Sequence, residues 1–363
     1  MTRLQQLYAE QGQSPWLDNL RRGWITSGEL QAWVDRGVRG ITSNPSIFQK
    51  AMGSGEDYDA QLLDLAGMSI DEAYWSLVVQ DIEDALAILR PVYDGSGGVD
   101  GYVSVEVAPS LARDTEGTIA SARELHQRID EPNLHVKIPG TAQGIPAIRQ
   151  MISEGRNVNV TLIFSLDRYR EVMEAYLSGL EACEGDLAHV CSVASFFVSR
   201  VDTEVDRRLE ELGTPEALDL RGKTAVAQAQ VAYQLFLETF QGPRWEALAD
   251  RGAQVQRPLW ASTSTKNDAY PDTLYVDRLI GPNSVNTLPE ATIEAFEDHG
   301  VVERTVDADP AEAHAVLEAV EAAGVDMDDV GTRLEDEGVA AFEKSFDELL
   351  GTLSEKAEQL GAA

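Results

Sequence analysis

Eight short runs of apolar and β-branched residues, separated by longer amphipathic stretches, constrain this chain more than any other feature. The runs are Trp16–Leu20, Arg39–Ser43, Tyr102–Val107, Leu134–Ile138, Val158–Phe164, Val190–Phe197, Pro258–Ser262 and Tyr275–Leu279. Several are apolar on both sides of the pleat, as strands of a parallel sheet covered on both faces must be. The periodicity predicts helices over Ser27–Arg36, Ser69–Tyr93, Asp114–Ile129, Ile145–Glu154, Leu166–Cys183, Phe197–Leu212, Thr224–Phe240 and Pro289–His299. This α/β alternation favours a single closed (β/α)8 TIM-type barrel with additional helices over an open sheet. No Gly-rich dinucleotide fingerprint follows an early strand, and Gly95–Gly98 reads as a turn before a strand. The stretch from Pro45 to Gly67 reads as an extended excursion, and the Ala- and Glu-rich tail at about 307–363 as a C-terminal helical extension. No repeat or low-complexity linker breaks the pattern, so one domain over residues 1–363 is expected.

Charge and composition remove several function classes. A net charge of −33 argues against nucleic acid, whose binding needs clustered Lys and Arg. Acidic stretches such as Glu204–Glu211 read as solvated helix faces. No segment has the uninterrupted apolar length of a membrane span, and the N-terminus lacks the apolar core of an export signal, so a cytoplasmic setting is the default expectation. Cys183 and Cys191 match no zinc or redox spacing and read as reduced, packed thiols. The 5 histidines are scattered, so no metal site and no cofactor is expected. Whether the chain is a monomer or a homodimer is not legible.

Lysine is scarce, which narrows the search for an amine nucleophile. In a barrel of this kind, polar residues at the C-terminal ends of the strands face the active-site mouth. Lys137 lies between Val136 and Ile138 in an apolar strand, where a solvated role is hard to sustain. Burial disfavours an ammonium and so supplies the free amine that attack on a carbonyl requires. Glu106 is set in the adjacent strand in the same way and is suited to moving protons through a water. Asp18, at the end of the first strand, is suited to accepting a hydroxyl proton as a C–C bond breaks. Against these readings stand ordinary ones: a snorkelling lysine, a carboxylate paired with a nearby arginine, a helix cap. Lys266, in the polar run Ser262–Asn267, suits a charged phosphate contact better than a nucleophile. Arg200 offers a planar fork for phosphate, or else pairs with Asp202 or Glu204 on its own helix.

Two segments carry a specific resemblance. Gly40-Ile41-Thr42-Ser43-Asn44-Pro45-Ser46-Ile47-Phe48 and Leu134-His135-Val136-Lys137-Ile138-Pro139-Gly140-Thr141-Ala142-Gln143-Gly144-Ile145 resemble the two diagnostic motifs of the transaldolase family. Supporting similarities are Asn157–Ser165, Ser192–Arg200 and the run Val285–Thr292, which is similar to the longer bacterial and plant branch. The resemblance covers about residues 14 to 300, in order. It implies a cofactor-free barrel enzyme in which Lys137 is the Schiff-base lysine, Glu106 activates a water and Asp18 is the acid–base of the aldol step. It further implies that Thr42 and Asn44 lie around that water and the substrate hydroxyls, with Asn159 and Thr161 close to the lysine, and Thr161 is counted with the catalytic group. Ser195, Arg200 and Ser262 match phosphate-site positions. Where the shorter branch of the family has an arginine after the seventh strand, none follows here, and Lys266 is the expected substitute.

The implied substrates are sugar phosphates. A dihydroxyacetone unit would pass from sedoheptulose 7-phosphate to glyceraldehyde 3-phosphate, giving erythrose 4-phosphate and fructose 6-phosphate. The alternative within the same chemistry is a fructose-6-phosphate aldolase-type lyase that releases free dihydroxyacetone. An inert barrel used as a scaffold is the reading from another class, since a fold alone does not carry a function.

Overall fold

The computed structural model describes residues 1–361. Eight strands pair in parallel, each with its neighbours along the chain: β1 (Gln13–Leu17), β2 (Gly40–Thr42), β3 (Tyr102–Glu106), β4 (Leu134–Pro139), β5 (Val158–Ile163), β6 (Ser192–Phe197), β7 (Arg257–Ala261) and β8 (Ser284–Leu288). The ring closes where β8 pairs with β1, from Gln13 opposite Ser284 to Leu17 opposite Leu288. Every strand residue is buried, because helices cover the outside and side chains fill the inside.

The helices follow the periodicity of the sequence. Ile70–Ser96 starts at a capping box, in which the Ser69 hydroxyl accepts from Glu72 N–H and the Glu72 carboxylate accepts from Ser69 N–H. It runs through Pro91 and ends only at Gly97, so the predicted glycine turn before β3 is shorter than the DGSGG run. The excursion after β2 folds into two helices, Pro45–Gly53 and Asp59–Asp64, and the tail into Pro310–Ala322 and Met327–Leu360.

The expected eighth strand is displaced. Tyr275–Leu279 is instead a short helix, Leu274–Asp277, and its turn. It is apolar because it is buried beneath the barrel wall, where Trp260 Nε1 and Gln13 Nε2 both donate to Leu279 O at 3.0 and 2.6 Å. The true strand, Ser284–Leu288, carries Asn286 and Thr287 and therefore reads as less apolar than the segment before it. β1 also begins three residues earlier than Trp16, which leaves Asp18 just beyond its C-terminal end.

Alternation along each strand sends every second side chain inward. Near the N-terminal end the interior holds Trp16, Tyr102 and His135, the last two stacked with centroids 4.1 Å apart. Room for Trp16 comes from Gly40: a Cβ there would lie 2.4 Å from the indole ring. Ser104 and Glu106 continue the inward row of Tyr102, and Lys137 that of His135, towards the mouth. On β5 the register slips between Val160 and Ile163, with Leu162 at φ 58°, an irregularity beside Thr161 at the mouth. The long helix Met327–Leu360 packs over that end of the barrel, its Gly331 and Gly338 lying against Ser165 and Leu162.

Candidate active site

The C-terminal ends of the strands surround one cavity, lined by Asp18, Thr42, Asn44, Lys137, Thr161, Ser195, Arg200, Ser262 and Lys266, among others. Nine of the eleven residues singled out from the sequence thus meet in one place. Of the other two, Glu106 stands beside Lys137, and Asn159 supports Ser195 from below. The register explains the first contact, because Glu106 is directly opposite Lys137 in the β3–β4 pair.

Lys137 is 4% exposed. Its Nζ donates to Ser43 O at 3.1 Å and lies 3.5 Å from Glu106 Oε2. That second contact lacks hydrogen-bond geometry, and neither carboxylate oxygen of Glu106 has a hydrogen-bond partner in the protein. Burial therefore wins: it pushes the Glu106 carboxyl above its ordinary range, against the pull of Lys137. Asp18 is also raised, burial outweighing Lys137, the bond from Thr42, Lys266 and Arg200. Thr42 Oγ1 donates to Asp18 Oδ1 at 2.7 Å; with its one proton so used, it accepts from Thr287 Oγ1 at 2.6 Å. Thr161 Oγ1 is buried without a partner.

The remaining polar residues are held by their neighbours. Ser195 Oγ donates to Asn159 Oδ1 at 2.7 Å, and Asn159 Nδ2 to Ser104 Oγ at 3.0 Å. Asn44 caps the helix Pro45–Gly53, its Oδ1 accepting from Ile47 N–H at 3.0 Å, so turn chemistry and cavity lining fall on one residue. Ser262 has φ 55°, a left-handed backbone outside glycine, and its hydroxyl lies 2.9 Å from Ser199 Oγ.

Two cations face the outer part of the cavity. Arg200 forms no ion pair among the described residues. Glu204 is taken by Arg207 and Arg208, while Asp202 accepts from Ala225 N–H and Tyr275 Oη. The local pairing weighed for Arg200 from the sequence is therefore not made. Burial lowers the Arg200 guanidinium below its ordinary value, against the attraction of Glu337 and Asp18. Lys266, which donates to Ser264 Oγ at 2.6 Å, is lowered by burial and then by Arg200. Two cations lining one cavity, with Arg200 lowering Lys266, offer a place for an anion.

Six lining residues went unassigned in the sequence: Phe197, Ala261, Ser264, Thr287, Pro289 and Phe342. Phe197 and Thr287 lie inside segments already singled out, Ser192–Arg200 and Val285–Thr292, but had been given no part. Phe342 comes from the helix Met327–Leu360, and nothing local to it points to the barrel mouth.

A closed parallel barrel with a buried lysine, a buried glutamate beside it, and an aspartate and two cations gathered at the strand ends has the arrangement of a barrel enzyme with its site at the mouth. Residues 15–353 match the family model described as transaldolase/fructose-6-phosphate aldolase. The chain belongs to that family. It is 54% identical over 359 residues to a protein named transaldolase from Parafrankia sp., covering 97% of this chain and 96% of that one. It is 53% identical over 363 residues to transaldolase 1 of Streptomyces coelicolor, covering 98% and 95%. The transaldolase of Thermobifida fusca is 53% identical over 366 residues, covering 99% and 98%.

Proposed function

We propose that the protein is a transaldolase acting on sugar phosphates through a Schiff base on Lys137. The observation that carries this reading is the buried Lys137–Glu106 contact of 3.5 Å, beside a cavity that Asp18, Arg200 and Lys266 also line.

Lys137 attacks the ketone carbon of a ketose phosphate as the free amine, and loss of water leaves the protonated imine. Glu106, its oxygens unengaged, relays the proton for that dehydration through a water, and the unpartnered Thr161 hydroxyl helps to hold the water. Asp18 takes the proton of the hydroxyl beside the scissile bond. The C–C bond then breaks, an aldose phosphate leaves, and the enamine holds a three-carbon unit on the lysine. Thr287 and Thr42 orient Asp18 for this step. Ser195, held by Asn159, and Asn44 and Ser262 position the sugar, while Arg200 and Lys266 bind its phosphate dianion. The enamine adds to the acceptor aldehyde, Asp18 returns its proton, and hydrolysis frees a ketose three carbons longer than the acceptor. With sedoheptulose 7-phosphate and glyceraldehyde 3-phosphate the products are erythrose 4-phosphate and fructose 6-phosphate.

Borohydride reduction in the presence of fructose 6-phosphate, followed by peptide mass spectrometry, tests the chemistry. A reduced three-carbon adduct on the Lys137 peptide is expected. Formation of sedoheptulose 7-phosphate on adding erythrose 4-phosphate then distinguishes transfer from the aldolase-type release of free dihydroxyacetone. An adduct on Lys266, or none, overturns the mechanism.

A further inference from the structure

The cavity around Lys137 is polar, yet one wall is an aromatic ring from the far end of the chain. Phe342 projects from the helix Met327–Leu360 into the same space as Lys137 and Thr161 and is 5% exposed. The helix is placed with little freedom. A Cβ at Gly331 would lie 2.9 Å from Ser165 Cβ, and one at Gly338 3.0 Å from Leu162 Cδ2, so both glycines let the helix sit directly on the end of β5. Polar contacts then tie it to segments that follow different strands. Glu335 pairs with Arg168 at 3.3 Å, Asp329 with Arg208 at 2.6 Å, and Asp336 with Arg113. Ser345 accepts from Ser46 at 2.7 Å, and Lys356 meets Asp59 at 2.6 Å. One turn beyond Phe342, Phe346 meets Tyr74 edge-on at 5.1 Å and borders a second, tighter space next to Glu106. The helix is a roof fastened on several sides, and Phe342 is its contribution to the interior.

We infer that Phe342 is a specificity-determining residue that keeps bulk water from the three-carbon adduct on Lys137, so that the adduct waits for an aldehyde instead of being hydrolysed. This rests on the Schiff-base reading above. Two fates compete for the enamine. In transfer, its nucleophilic carbon bonds to the carbonyl carbon of the acceptor, whose oxygen takes a proton. In hydrolysis the same carbon takes a proton, water adds across the C=N bond, and dihydroxyacetone leaves with the amine regenerated. Only the second path consumes an extra proton and water before an acceptor arrives, so an apolar ring that excludes solvent slows it selectively. A polar wall there would supply water before an acceptor arrives, whereas transfer needs water only afterwards, to free the product from its imine.

The experiment measures, for wild type and for F342A and F342L, free dihydroxyacetone released from fructose 6-phosphate alone and sedoheptulose 7-phosphate formed with erythrose 4-phosphate. In F342A the ratio of release to transfer should rise about tenfold, with the lysine adduct still trapped by borohydride. F342L, which refills the wall with an apolar side chain, should return most of the way to the wild-type ratio and serves if F342A folds poorly. A ratio that does not move in either folded variant, although wild type forms the adduct, overturns the inference and leaves the Schiff-base reading intact. A wild type that forms no adduct removes the reading itself.

Discussion

Two carboxylates are buried inside the same barrel and end in opposite electrostatic states. At the N-terminal base, Asp100 accepts from Ser14 Oγ at 2.7 Å, Arg39 Nε at 2.7 Å, Arg257 Nη2 at 3.0 Å and Trp16 Nε1 at 3.2 Å. Burial pushes its carboxyl up, but Arg257 and Arg39 outweigh it and hold the group below its ordinary range. At the mouth, Glu106 is also buried, has one lysine nitrogen at 3.5 Å and no hydrogen bond, and is pushed up. The residue types and the burial match; the number of donors differs. A fully paired charge is held in one protonation state, whereas one left underpaired is freer to exchange its proton. The two ends of one barrel thus differ in how fully they pair a buried carboxylate.

The sharpest way to break that comparison begins with Lys137→Met. It should lower transfer at least ~10³-fold and abolish borohydride trapping, while thermal unfolding stays near the wild-type midpoint, because Met keeps the apolar stem packed and Glu106, already pushed up, can stay buried as the neutral acid. Glu106→Gln should cost about 10²–10⁴-fold in kcat with unchanged or increased stability. A stability loss comparable to that of a broken buried ion pair would show that Glu106 belongs with the scaffold. Asp100→Ala should do the reverse, destabilising by about 3–5 kcal/mol in urea melts because the buried Arg257 and the half-buried Arg39 lose their partner, with little change in kcat of the folded fraction.

The pH dependence of these variants sharpens the contrast further. The Asp100 carboxyl is lowered in the fold from 3.8, so its contribution is complete above that pH and is lost as pH falls below it. The Glu106 carboxyl is raised from 4.5, so its contribution is complete below that pH and is lost as pH rises through its higher folded value. Wild type minus Asp100→Asn stability should therefore shrink on acidification. Glu106→Gln minus wild type should instead grow as pH rises from about 4 towards neutrality, by about 1.4 kcal/mol per unit of pKa displacement. A pair of variants that drift in the same direction would erase the distinction. The smallest effect is expected at the rim. Lys266→Met should raise KM for the sugar phosphate about tenfold with kcat nearly unchanged, and Arg200→Met should do more, because a planar fork holds phosphate more tightly than a point charge.

How much of this was legible before folding differs from residue to residue. Lys137 and Glu106 were readable because a charged residue inside an apolar strand has few benign explanations. Arg200 was ambiguous in sequence, with Asp202 and Glu204 two and four positions away, and only the structure occupies those acids elsewhere, on Ala225, Tyr275, Arg207 and Arg208. The eighth strand was misplaced because apolarity marks burial and not conformation. Tyr275–Leu279 is buried as a short helix and turn, whereas β8 turns Thr287 towards the cavity and looks polar for that reason.

The amino-acid sequence by itself determined most of the alternation of strands and helices and singled out Lys137 and Glu106 as charged residues inside apolar strands, since these rest on periodicity and on the cost of burying charge, both local properties. Tertiary structure alone decided that β8 pairs with β1, that Thr287 reaches Thr42, that Asp100 collects donors from β1, β7 and the segment preceding β2, and that Phe342 enters a cavity whose lysine is 205 positions earlier in the chain. Those are contacts between distant segments, created by the closing of the ring and the docking of a helix across it, and no pattern within a single segment carries them.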